Sequence, residues 1–234
     1  MATSYRSTTG SDRKNNTKKE HSLIIKGEGL FSPTEELPIR SETIVEQDVV
    51  ALFNQMLSAG VIRGVQLIAS STYNQYDGLF RVRMEPPFGK FIYGDANPLG
   101  IDEDFFAGHE TTIESPVKVL EYKYSLDGLI EELQQQVKVS QDIGLAVAWE
   151  MGTKWRQIFD VTSYLDGEHI HLRQIHGTTH SCTHSESGQP AFECIILKDL
   201  VGYLLERDSE ISRQRRVYLE YEDDDEYAAI DSGA

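Results

Sequence analysis

Val117-Lys118-Val119-Leu120-Glu121-Tyr122-Lys123-Tyr124 is framed by Ser115-Pro116 before it and Ser125 after it. β-Branched and aromatic residues alternating with a period of two predict a strand here. Side chains at i and i+2 share a strand face, so Val117, Val119, Glu121 and Lys123 point one way and Lys118, Leu120, Tyr122 and Tyr124 the other. Glu121 and Lys123 are therefore unlike charges side by side at the end of an otherwise apolar face. A carboxylate there can hold a hard divalent cation through oxygen. An ammonium two residues on can steer a water or stabilise a phosphoryl anion. The same two residues also suit an ordinary ion pair on a solvated face, which contributes little to stability.

The elements on either side give this strand its setting. Thr43 to Leu57 carries Val45, Val49, Phe53 and Leu57 at intervals of four, with Val50 beside them, an apolar helical stripe. Thr43-x-x-Glu46 has the form of a capping box, and Gly60 that of a terminator. Gly64 to Ser70 reads as a strand. Asp77-Gly78 opens a second, Leu79 to Met84, which Pro86, Pro87 and Gly89 end. After an excursion with a short strand at Phe91-Ile92-Tyr93 comes the Glu121 strand. Ser125 then caps a helix from Leu126 to Val137, with Leu126, Leu129, Ile130, Leu133 and Val137 on one face. Ile143 to Trp149 is a continuous apolar run, as in a strand covered on both sides. Val117 to Trp149 thus predicts a right-handed strand–helix–strand crossover. Further strands are expected at Gln157 to Val161, His169 to Ile175 and Ala191 to Leu197, and a closing helix at Leu197 to Leu205.

The chain of 234 residues suits one domain with tails. Residues 1–40 form a basic leader and linker, of which 1–21 have too few apolar residues to offset the entropy of ordering. Residues 41–205 form the domain, and 206–234 an acidic C-terminal tail. No apolar run reaches the roughly 18–20 residues of a membrane span. The N-terminus has no charged-then-apolar secretory pattern, and two cysteines make no disulfide framework. A reducing cytoplasm is the expected compartment. Net charge is −16, and residues 20–219 stay strongly acidic once both ends are removed. That opposes simple nonspecific binding to nucleic acid. Any such role must use metal ions, local basic groups or a partner.

The order helix, strand, strand opening with Asp77, strand with Glu121-x-Lys123, helix, strand resembles the PD-(D/E)xK nuclease superfamily. The resemblance covers about residues 42–150. It implies an α/β, restriction-endonuclease-like core, a central mixed β-sheet flanked by helices, here with additional C-terminal strands. In that family two acids on successive strands bind one or two Mg²⁺ ions, and the lysine positions or activates the attacking water. By motif, Asp77 matches the first acid, Glu121 the second and Lys123 the lysine, with Glu46 matching the first-helix acid that joins some sites. Mg²⁺ or Mn²⁺ and DNA are the implied cofactor and substrate. Tyr76 stands where the nominal pattern has proline. Read without the resemblance, Asp77-Gly78 is a turn dipeptide, Glu46 a capping acid and Lys123 a side chain snorkelling beside tyrosines.

A looser similarity adds Glu46 to Phe53, Tyr76 to Phe80, Glu121 to Ser125 and His176-Gly177-Thr178-Thr179-His180. These look like a module that follows a GHKL-type ATPase in some prokaryotic proteins associated with anti-phage defence or DNA maintenance. It implies an ATPase partner carried on another chain, with self-association left open. Two other functions fit the same sequence. One is an inactive nuclease fold serving as an interaction module, which the acidic charge favours. The other is a zinc module built from His169, His171, His176, His180, Cys182 and His184. The His180-x-Cys182-x-His184 spacing is strand alternation rather than the two- to four-residue gaps of zinc knuckles, so zinc is not expected.

Overall fold

A computed structural model of the chain describes residues 42–71 and 75–219. The leader and most of the acidic tail fall outside the described residues. The described part is α/β, with a mixed eight-stranded sheet and four helices. Helix α1 spans Glu46–Ser58, followed by strands β1 (Val65–Ser70), β2 (Gly78–Met84), a two-residue β3 (Ile113–Glu114) and β4 (Lys118–Ser125). Helix α2 (Leu126–Gln134), β5 (Ile143–Glu150), β6 (Phe159–Ser163), β7 (His180–His184), β8 (Pro190–Ile196), α3 (Leu197–Leu205) and α4 (Arg207–Tyr218) complete it. The sheet order is β1-β2-β4-β5-β8-β7-β6, with β3 on β2.

β1, β2 and β4 form an antiparallel set. β4 and β5 are parallel neighbours joined through α2, so the predicted crossover is present. The apolar run of β5 is explained by its two covered faces. Leu145, Val147 and Trp149 enter a core with Val49, Leu52, Phe53 and Met56 of α1 and Leu197, Leu200 and Val201 of α3. Ala146 and Ala148 enter a second core under Leu126, Leu129 and Ile130 of α2. β4 divides in the same way, with Leu120 and Tyr122 in the first core and Val119 packed on the second. α3 runs over the residues predicted, and Gly60 ends α1 with φ 73°.

Several expectations need correction. The N-cap of α1 is Val45, and Asp48 rather than Glu46 reaches back, accepting from Ile44 N–H at 3.0 Å and Val45 N–H at 3.3 Å. Thr43 and Glu46 therefore form no capping box. Phe91-Ile92-Tyr93 makes only an isolated bridge, Ile92 with Ile101. Helix α2 stops at Gln134, and Val137, expected to complete its stripe, is exposed. His169 to Ile175 is a loop with a single 3₁₀ turn. Arg173 draws it inward, its buried guanidinium donating to the carbonyls of Gly100 (2.8 Å), Tyr164 (3.1 Å) and Pro98 (3.2 Å). The domain does not end at Leu205, because α4 packs against α3 and β6. No described helix is long and apolar enough to cross a membrane.

Candidate functional site

Strand register brings Asp77 to Glu121. Gly78 pairs with Leu120 and Leu79 with Val119, so one step back along the ladder sets Asp77 opposite Glu121. The Tyr122 N–H donates to Asp77 Oδ2 at 2.8 Å, and Asp77 N–H lies 3.4 Å from Glu121 Oε1. The Asp77 carboxylate is close enough to help raise the pKa of Glu121. Asp77 thus ends the bend at residues 75–77, and Gly78 opens the ladder. Gly78 is required because a Cβ there would stand 2.8 Å from the Ala69 carbonyl oxygen of β1.

Glu121 is fully buried on the α2 face of β4. Its partner on β5 is Ala146, and that of Lys123 is Ala148. Their methyl groups leave the long polar side chains room under α2. Lys123 does not reach back to Glu121. Its ammonium sits 2.9 Å from Glu132 Oε1, on α2. Between the two carboxylates lies a residue that no motif marks, Lys138, from the loop after α2. It is buried, donates to Glu121 Oε2, and lies 3.0 Å from Glu132 Oε2 in an ion pair without hydrogen-bond geometry. Asp77, Glu121, Lys138, Glu132 and Lys123 so form one chain of alternating charge, broken only by the acid–acid contact at its start. Glu46, half-buried in the first turn of α1, is near enough to feel Lys123, Asp77, Lys138 and Glu132.

The environment shifts these groups in definite directions. Burial pushes the Glu121 carboxyl up to about 7, with Lys138 pulling it down and Asp77 adding to the rise. Burial likewise raises Glu46, with Lys123 opposing. Burial favours a proton on Glu132 too, but the ammonium groups of Lys123 and Lys138 outweigh it and hold that carboxyl below its ordinary value. Burial disfavours the Lys138 ammonium, yet Glu121 and Glu132 hold its pKa above the ordinary lysine value. The Tyr122 phenol is raised by burial, then by Asp77. A buried carboxyl titrating near neutrality, beside a second carboxylate and the Lys138 ammonium, can exchange protons or hold a cation.

All four sequence candidates gather here, Asp77 and Glu121 in contact and Lys123 and Glu46 within electrostatic range. Lys138 and Glu132 were not legible as site residues. The one signal for Lys138 is its place between two valines, where an apolar face would be expected. Among the described residues, no three or more His, Cys, Asp or Glu side chains are grouped so as to hold a metal ion. In comparisons with known proteins, no family model, curated protein or solved structure matches the chain.

The histidines go separate ways. β7 alternates as expected, but His180 is buried against Thr179 Oγ1 (2.8 Å) and Gln214 Oε1 (2.9 Å). His184 pairs with Ser140 at 2.9 Å, and Cys182 faces Cys194 at 3.6 Å between sulfurs. His176 meets Asn97 Oδ1 at 3.0 Å, and burial depresses it to about 3.

Proposed function

We propose that this chain is a metal-dependent nuclease of the PD-(D/E)xK type, hydrolysing phosphodiester bonds in DNA. The observation that carries the reading is the meeting of Asp77 with Glu121 across the β2–β4 ladder, two residues before Lys123 on the same face. The order of elements supports it, from α1 through the antiparallel β1, β2 and β4 to the crossover by α2 into parallel β5. Carboxylate oxygen is the donor chemistry that Mg²⁺ or Mn²⁺ takes. Asp77 and Glu121 would hold the ion, with Glu46 nearby as a further oxygen donor. A bound ion would neutralise charge at the scissile phosphate and make an attacking water more acidic. Lys123 would orient that water or stabilise the developing phosphoryl charge, its ammonium held in place by Glu132. Tyr122 and Leu120 anchor β4 in the α1 core, and so fix the strand that carries Glu121 and Lys123. The cytoplasm, DNA maintenance or anti-phage defence, and an ATPase partner that raises DNA affinity are the setting proposed with it.

The deciding experiment measures cleavage of single- and double-stranded DNA at low salt with Mg²⁺ or Mn²⁺, alone and with lysate ATPases captured on the chain. Cleavage by wild type should be lost in Glu121→Gln and Asp77→Asn. In Lys123→Ala it should fall by roughly 10²-fold, as for loss of a transition-state contact. No metal-dependent cleavage under any of these conditions would overturn the reading. The seat of Lys138 on Glu121 favours one alternative, an inactive nuclease fold whose former site is closed by a structural ion-pair chain and which acts as an interaction module.

A further inference from the structure

Lys138 breaks a local rule. It lies between Val137 and Val139, which are 49% and 47% exposed, while the lysine is 6% exposed. Two apolar side chains face water and the charged one faces inward, the reverse of what burial energetics favour. Such an inversion is held only where the surroundings enforce it, as at functional or strained positions.

The surroundings here are specific. Gln136 takes a left-handed conformation, φ 58°, which is uncommon for a residue other than glycine and turns the chain back after α2. The loop is then tied to the residues just before Asp77. Gln75 Nε2 donates to the Val137 carbonyl, and Tyr76 Oη donates to Asp142 Oδ2 at 2.8 Å. The Lys138 ammonium lies 5.9 Å from the centre of the Tyr76 ring. Residues 75–76 thus clasp both ends of the loop that delivers Lys138, and residue 77 is the first acid of the pair. The charged groups facing the ammonium are Glu121 and Glu132 in contact, with Glu46 sensing it from α1.

We infer that Lys138 is a resident counterion of the acid pair, which competes with a divalent cation for the charge of Glu121. The inference rests on the nuclease reading. Lys138 holds Glu121 Oε2, while Oε1 lies toward Asp77. An ammonium and a divalent cation on one carboxylate repel each other at close range and share its negative charge. Each is therefore held more weakly when the other is in place. Linkage makes the competition reciprocal, so the factor by which the ion loosens the lysine is the factor by which the lysine weakens the ion. A ligand's apparent affinity falls by the fraction of molecules able to receive it, and a closed Lys138 loop sets that fraction low. This also accounts for carboxylates that converge without presenting a ready cage of three ligands among the described residues.

The test is calorimetric titration of Mn²⁺ into the wild-type chain, Lys138→Met, Tyr76→Phe and Glu121→Gln, with hydrogen exchange of residues 136–142 followed with and without Mn²⁺. Wild type should bind weakly. Lys138→Met should bind at least about tenfold more tightly, since the competing charge is gone. Tyr76→Phe, which loosens the loop but leaves the ammonium and both acids in place, should shift affinity in the same direction by less, and it keeps the test open if Lys138→Met folds poorly. Glu121→Gln should not bind. In wild type, Mn²⁺ should speed exchange in the loop. If wild type binds Mn²⁺ through Glu121 but neither Lys138→Met nor Tyr76→Phe binds it more tightly, the counterion inference is wrong and the nuclease reading stands. If no variant binds Mn²⁺, both fall.

Discussion

Asp77 and Glu121 hold each other in place through the backbone. The carboxylate of Asp77 accepts from the N–H of Tyr122, the residue after Glu121, and the carboxylate of Glu121 lies 3.4 Å from the N–H of Asp77. Each acid is positioned by the main chain of the opposite strand, so the pair has the rigidity of the ladder itself. This arrangement separates the charge of Asp77 from its role as an acceptor. Asp77→Asn keeps an oxygen for the Tyr122 N–H and removes the charge that raises Glu121, so its stability should stay near or above that of wild type. Asp77→Ala leaves the part-buried Tyr122 N–H without its partner and should cost about 1–3 kcal/mol. Denaturant midpoints of the two variants measure the difference. Equal losses in both would show that Asp77 acts only by charge.

The parts of this fold that were legible are those where packing alone decides. The Glu121 strand alternates with a period of two, β5 is apolar throughout, and the first turns of the crossover helix keep one apolar face; tertiary context agrees with each. The acid pair was legible as residue types, but its register was not, since nothing local says that Asp77 lies opposite Glu121. Three of the misses turn on polar groups. Asp48 outcompeted Glu46 for the start of α1 because the helix begins two residues later than the apolar stripe suggests. His169 to Ile175 alternates like a strand, but Arg173 finds three carbonyl acceptors inside, and these override the pattern. Lys138 was invisible because its meaning lies in a carboxylate 17 residues away in sequence, reached only through the loop turn at Gln136.

A second buried acid makes stability depend on pH. Glu193 lies on β8 beside Tyr164, whose hydroxyl donates to Oε1 at 3.2 Å, while Oε2 is buried without a hydrogen-bond partner. Burial pushes its carboxyl up to about 7 against Tyr164, Lys118 and Arg173. Its folded pKa is above its ordinary value of 4.5. The stability gained from protonated Glu193 is therefore complete below 4.5 and is lost as pH rises through about 7. Glu193→Gln stays neutral. It should match wild type at about pH 5 and exceed it at about pH 8, on the order of 2–3 kcal/mol, at about 1.4 kcal/mol per tenfold change in proton affinity. Buried His176 and His180 act with the opposite sign, losing stability as pH falls below their ordinary value, so the informative quantity is the difference between the two profiles. Parallel profiles for wild type and Glu193→Gln would refute the assignment.

Helix α4 is the other feature that no apolar pattern announces, and it makes the sharpest stability prediction. Its sequence, Arg207-Asp-Ser-Glu-Ile-Ser-Arg-Gln-Arg-Arg-Val-Tyr218, is charged throughout and has no continuous apolar stripe. It is held instead through Gln214, which is fully buried. Gln214 Oε1 accepts from Ser163 Oγ at 2.7 Å and pairs with His180 Nε2 at 2.9 Å, while its amide nitrogen donates to Asp199 Oδ2 at 3.0 Å and to Glu210 Oε1 at 2.6 Å. Both atoms of the amide are thus engaged, and one side chain joins β6, β7, α3 and α4. Arg213 completes the network with contacts of 2.7 Å to Asp199 and 2.6 Å to Glu210, and Tyr218 packs its ring on Trp155 and His180. Gln214→Ala would remove four hydrogen bonds at once in a region of low dielectric, leaving His180 Nε2 and the Ser163 hydroxyl proton unpaired while Arg213 still holds Glu210 and Asp199; an unpaired group there costs about 1–3 kcal/mol and members of a network lose more than the sum of their pairs. A loss of at least about 3 kcal/mol in urea unfolding is expected. Gln214→Glu should also destabilise, since it places a third carboxylate against Asp199 and Glu210. Removing everything after Glu206 should unfold the domain or expose the β6–β7 edge. Limited proteolysis should therefore stop near Leu219 rather than Leu205. Rapid cutting between 206 and 219 with an unchanged melting temperature would show that α4 is not part of the folded unit.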